Sequence, residues 1–185
     1  MSKEKSIFYK ERDWDDFHFY NGKILTNLTL VETPIDYDYR HEISTKYHST
    51  YIDRILPVDE KLKGLKFLQD RVYNLEFSVL KGFYVYENCY NLLSCLHGKI
   101  YVVVVDDRKF STTRGKWESF VLTPNNSLQV LIPPFMSYAF YSFEKNTILF
   151  NKMAYKDEVE LKKKKYQIFK HRELNIKWPT PSAIQ

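Results

Sequence analysis

The residue types that carry most enzyme chemistry are sparse in this chain. Its five histidines stand at positions 18, 41, 48, 97 and 171. None forms His-x-His, and no facial triad with a carboxylate can be read from them, so a barrel holding neither metal nor cofactor is expected. The two cysteines, Cys89 and Cys95, lie six apart, which is neither a redox nor a zinc spacing. They are expected to be small buried hydrophobes, and no Cys–His nucleophile pair follows from their placement. Tyrosine and histidine are further candidate acid–base groups, each to be weighed against a structural role. A tyrosine ordinarily titrates near pH 10, so Tyr84 reads as a core or pocket-wall aromatic before it reads as a base. His171 reads as a satisfied or exposed imidazole before it reads as a base. His97 precedes Gly98 and reads as structural.

The elements that must position these side chains are strands. Aromatics make up 17% of the chain, with 15 Tyr and 13 Phe, residues that suit pleated, half-buried surfaces. From residue 64 onward short alternating runs follow one another, broken by turn signals at Gly98, at Pro124-Asn125-Asn126, at Pro133-Pro134 and at Glu144-Lys145-Asn146. Ile100–Val105 is a continuous apolar strand. Many short strands with turns every eight to twelve residues predict an all-β sandwich or barrel, with its core at 64–155. Residues 1–22 read as an extension rather than core. Residues 23–31 predict a strand from Ile24, Leu28 and Leu30, and 34–42 a polar turn. The tail 158–185 opens with a lysine-rich helix or loop and ends in a proline-interrupted stretch. No internal repeat or second domain is visible, and 185 residues suit one domain.

The formal charge of +5 is local, with four lysines at 162–165 and others at Lys3, Lys5 and Lys10. Such a run is a solvated face or loop, and no basic helix or reader motif points to nucleic acid. No stretch is apolar for long enough to span a bilayer. With few cysteines and no signal peptide, the expected compartment is the cytoplasm, with no membrane partner.

The stretch from Asn91 to Pro134 carries Gly98, Asp106 or Asp107, Arg108, Ser111, Thr113, Trp117 and Pro133-Pro134 in a fixed order. Upstream stand Asp38-x-Arg40-x-Glu42 and Leu80-Lys81-Gly82-Phe83-Tyr84; downstream stands Leu174-Asn175-Ile176-Lys177-Trp178-Pro179. Together these resemble the dTDP-4-dehydrorhamnose 3,5-epimerases and their relatives acting on GDP-4-keto-heptoses in bacterial capsule pathways, over residues 28 to 182. The resemblance implies a cupin, a double-stranded β-helix (jelly roll) with short peripheral helices, assembled as a homodimer.

It also implies what is missing. Epimerisation beside a 4-keto group needs a base, a group to hold the enolate oxygen, and an acid. The family's His, Lys, Tyr and orienting Asp fall on Tyr84, Asn91, Phe150 and His171. Arg40 stands at the phosphate-contacting position, where a guanidinium suits a diphosphate. Glu42, Gln69, Asn74, Lys81 and Tyr138 stand where the family contacts nucleotide or sugar. Three functions remain open: a cupin that binds a GDP- or dTDP-linked sugar with degenerate epimerase chemistry, an active epimerase or isomerase using another base, and a non-catalytic interaction protein.

Overall fold

The computed structural model of the chain describes residues 10–14, 17–37, 42–56, 64–156, 163–165 and 173–179. Its strands in chain order are β1 (Lys10–Trp14), β2 (Phe17–Asn21), β3 (Thr29–Glu32), β4 (Ile35–Tyr37), β5 (Glu42–Ser44), β6 (Lys66–Leu75) and β7 (Leu80–Tyr86). They continue with β8 (Tyr90–His97), β9 (Ile100–Asp106), β10 (Trp117–Leu122), β11 (Leu128–Ile132), β12 (Met136–Ser142), β13 (Thr147–Tyr155) and β14 (Lys163–Lys165). One helical turn, α1 (Ser49–Ile52), runs into a 3-10 turn at Asp53–Ile55. All pairings are antiparallel. A seven-stranded sheet runs β1-β2-β3-β11-β8-β13-β6 and a five-stranded sheet runs β10-β9-β12-β7-β14, with β4 and β5 as a separate pair. The chain is all-β, as the strand spacing predicts, and its two sheets form the jelly roll that the resemblance implies.

Three apolar layers hold it together. The main core lies between the sheets and contains Leu93, Val102, Val104, Phe140, Leu149 and Met153. A second layer packs Ile52 and Leu56 onto the outer face of the large sheet, against Phe17, Phe19, Leu92 and Leu131. A third covers the outer face of the small sheet, where Phe83, Val103, Val105 and Ala139 lie under Leu174, Ile176 and Trp178. This explains the unbroken valine run. Val102 and Val104 face one layer and Val103 and Val105 the other, so neither face of β9 needs polar residues.

The structure corrects four sequence expectations. Residues 10–21 are not an appendage: they form β1 and β2, and Phe17 and Phe19 are buried. Residues 22–28 are not strand. The Glu118 carboxylate accepts hydrogen bonds from the amides of Lys23, Ile24 and Leu25 at 2.9, 3.0 and 3.2 Å, which bends this segment into a turn and leaves Ile24 exposed. Residues 34–42 are not all turn, since Ile35–Tyr37 and Glu42–Ser44 pair as β4 and β5. Within the lysine run, Lys163–Lys165 is neither helix nor loop, because it pairs with the free edge of β7. Lysines suit such an edge strand, where their charge discourages further pairing.

Candidate functional site

Along one side of the interior, β6, β7, β8, β12 and β13 bring polar residues together. Alternation in β6 sets the pattern. Asp70 points to the outer face and pairs with Lys152 at 2.8 Å. Gln69, Arg71 and Tyr73 therefore point inward, where Tyr73 packs against the main core. On β13 the inward residues are Leu149, Asn151 and Met153, with Asn151 directly across from Arg71.

At the floor, three neutral side chains form a closed triangle. The Asn91 amide oxygen accepts from the Tyr138 hydroxyl at 3.3 Å and from the Asn151 amide at 3.1 Å. Asn151 also donates to the Tyr138 oxygen at 3.4 Å. All three are buried, and the amide oxygen of Asn151 accepts no hydrogen bond. A buried acceptor without a donor costs about 1–3 kcal/mol. An apolar residue would avoid that cost, so an asparagine here is explained by something other than packing.

Above the floor, the Arg71 guanidinium donates to the Tyr86 hydroxyl at 3.0 Å and to Gln69 Oε1 at 3.2 Å. Tyr84, half-buried, lies with its ring centroid 5.8 Å from that of Tyr138 and 6.3 Å from that of Phe140. Burial raises the pKa of Tyr138 well above the usual phenol value, with Tyr86 and Tyr73 adding to the shift. Burial and the neighbouring Tyr73 raise Tyr84. Burial pushes Tyr86 up to about 12, although Arg71 beside it pulls the other way. Burial also pushes the Cys89 thiol up to about 12. For Arg71, burial opposes the charge, but Tyr86 and Tyr73 outweigh it and the pKa is raised. Among the described residues the site is thus a set of neutral phenols and amides around the Arg71 cation.

The structure unites some of the sequence candidates and separates others. Tyr84, Asn91, Tyr138 and Gln69 belong to the interior group. Phe150 does not. It is paired with Val72 and Ser94 on the outer face of the large sheet, and the inward place beside it is taken by Asn151. Asn74 is exposed opposite Ile148 on the same outer side. Lys81 is exposed opposite Phe140, and Glu42 is exposed on β5. Arg40 and His171 lie outside the described residues. Sequence reasoning missed Arg71, Tyr73, Tyr86 and Asn151. The signal for the first two was present in the alternation of Lys66–Leu75, which sets Gln69, Arg71 and Tyr73 on one face. Among the described residues, no group of three or more His, Cys, Asp or Glu side chains could hold a metal ion.

The most family-like motif has a structural role. Asp106 accepts from the Arg108 backbone amide, from Nε and Nη2 of Arg108, and from the hydroxyls of Ser111 and Thr113. Arg108 in turn donates to the carbonyl of Thr26 at 2.7 Å, tying the β9–β10 loop to the turn before β3. Trp117 donates through its indole N–H to the Leu174 carbonyl at 2.9 Å, which anchors the C-terminal segment on the small sheet.

Comparison with known proteins fits this architecture. The dTDP-4-dehydrorhamnose 3,5-epimerase of Shigella flexneri is 26% identical over 127 residues, 66% of this chain and 68% of that one. The fold matches that of the dTDP-6-deoxy-D-glucose-3,5-epimerase of Legionella pneumophila, solved with dTDP-4-keto-L-rhamnose, with a TM-score of 0.77 at 23% identity over 90% of this chain and 85% of that one. It also matches the dTDP-4-dehydrorhamnose 3,5-epimerase of Bacillus anthracis, solved with TDP and PPi bound, with a TM-score of 0.74 at 23% identity over 90% of this chain and 92% of that one. A profile of the family described as dTDP-4-dehydrorhamnose 3,5-epimerase matches residues 24–185, and the chain belongs to that family.

Proposed function

We propose that this chain is a cupin of surface-polysaccharide biosynthesis that binds a nucleotide-linked sugar while its epimerase chemistry has degenerated. The observation that carries the reading is the neutral floor, Tyr138–Asn91–Asn151, with Tyr84 beside it. A general base works best with a pKa near the operating pH. Tyr84 is shifted the wrong way, since burial and the neighbouring Tyr73 raise its pKa further from neutrality. Asn91 can donate a hydrogen bond but brings no charge to an enolate, and an amide cannot serve as the acid.

Binding is supported by the ligands of structural relatives. The Legionella protein is solved with dTDP-4-keto-L-rhamnose and the Bacillus protein with TDP. A dTDP-linked sugar is therefore the first ligand to test, with a GDP-linked one second.

The deciding experiment incubates the protein with freshly made dTDP-4-keto-6-deoxyglucose in deuterium oxide and follows mass. General acid and base groups are each worth about 10²–10⁴-fold, so losing both predicts no deuterium uptake at C3 or C5 above the uncatalysed background. Uptake of one or two deuterons at enzymatic rates would overturn the reading. In parallel, dTDP and GDP are added in a thermal melt. A ligand that binds only the folded state must raise the melting temperature, and no shift with either would favour the interaction-protein reading.

A further inference from the structure

We propose that Arg71 is the anchor for an oxyanion of the bound ligand, and that the ligand pairs this anion with a hydroxyl delivered to the floor. The inference rests on the reading of the interior as a nucleotide-sugar site and names the ligand chemistry that this chain would select. No carboxylate pairs with Arg71 among the described residues. Its partners are the phenols of Tyr86 and Tyr73 and the carboxamide of Gln69, none of them a carboxylate, so the half-buried guanidinium has no counter-charge among the described residues. Charges withdrawn from water are ordinarily paired, and a guanidinium pairs best with a carboxylate or phosphate through its two-pronged edge.

The second observation is independent of the charge. Directly across the sheet from Arg71, the amide oxygen of Asn151 is buried and has no donor. One ligand settles both demands if it carries an anionic group for Arg71 and a hydroxyl for Asn151. Hydroxylated anions have this form. Two sources of the anion fit a nucleotide-linked sugar: the diphosphate itself, or a carboxylate on the sugar, as in a uronate. The shared chemistry is the oxyanion.

Calorimetric titration of the whole chain separates the sources. The probes are dTDP, dTDP-glucose, UDP-glucose and UDP-glucuronate, with free glucuronate and inorganic pyrophosphate as nucleotide-free anions. The proteins are the wild type, R71Q and R71K. If the sugar carboxylate is the anchor group, UDP-glucuronate binds the wild type more tightly than UDP-glucose by roughly 10- to 100-fold, and R71Q removes that advantage. If the diphosphate is the anchor group, the two bind alike and R71Q weakens all four nucleotides by a similar factor. R71K keeps the charge and loses the fork, so its affinities fall between the other two. Should R71Q fail to fold, R71K carries the test. Affinities that are the same in all three proteins overturn the proposal while leaving nucleotide binding standing. If no nucleotide binds but glucuronate or pyrophosphate does so through Arg71, the anion site stands and the nucleotide-sugar reading falls. If nothing binds at millimolar concentration, both fall.

Discussion

Asp106 is fully buried, yet its carboxylate accepts five hydrogen bonds from Arg108, Ser111 and Thr113. Burial alone would raise its pKa, but these donors override that and hold it well below the usual carboxylate range. The sign of the linkage follows. A depressed folded-state pKa contributes stability that is complete above about pH 5, where the unfolded chain is also ionised, and is lost as the pH falls toward the folded value. Replacing Asp106→Asn points an amide N–H₂ at donors and strips Arg108 of its counter-charge. The expected cost is about 2–4 kcal/mol at pH 7 in urea denaturation. The gap between wild type and variant should narrow as the pH is lowered from 5 toward 2; a gap that widens would contradict the assignment. The motif carboxylate Asp106 is therefore a brace for a loop.

The strand β7 shows how closely an element can be constrained by its neighbour. Gly82 has φ +137°, and a Cβ there would lie 2.4 Å from the Ala139 Cβ and 2.8 Å from the Tyr138 carbonyl oxygen. Neither contact can relax without pushing β12 away from β7. Gly82→Ala is expected to cost about 3–5 kcal/mol, seen as a fall of roughly 10 °C in the melting temperature. A wild-type melting temperature would show that the two strands can separate locally. Elements of this kind were mostly legible in the sequence. The strands from β8 to β13 alternate or run apolar, and their turns are marked by Gly, Pro and Asn. The site was less legible because the register of β13 shifts at Ile148/Leu149 and again at Met153/Ala154. Counting along a fixed motif placed Phe150 inward, and a one-residue offset exchanges the faces. The turn at 22–28 was invisible for another reason. Its cause, Glu118, is more than ninety residues away in the chain. The strand β14 gave no signal because lysines have low β propensity and are recruited only by the edge they cover.

At the scale of the whole molecule, β6 is the last strand of the seven-stranded sheet, ten residues long, and its outer side exposes Val72 and Leu68. A long edge with exposed apolar side chains invites pairing or packing with another chain. We expect a second copy to cover it, giving a homodimer by light scattering at micromolar concentration. Val72→Lys should shift that equilibrium toward monomer without lowering the monomer's helix-poor circular dichroism signal, whereas a wild-type monomer would remove the expectation. No helix among the described residues is long and apolar enough to cross a membrane. The C-terminal segment that roofs the small sheet has a consequence for synthesis. The apolar face of Phe83, Val103, Val105 and Ala139 is complete once Ala139 has been added, but Leu174, Ile176 and Trp178 follow about 35 to 39 residues later. At ribosomal speeds of about 5–20 residues per second, that face stays bare for roughly 2–8 s on every nascent chain. During that interval a trigger-type chaperone would have an apolar surface to hold, and a ribosome that stalled there would leave the chain prone to aggregation.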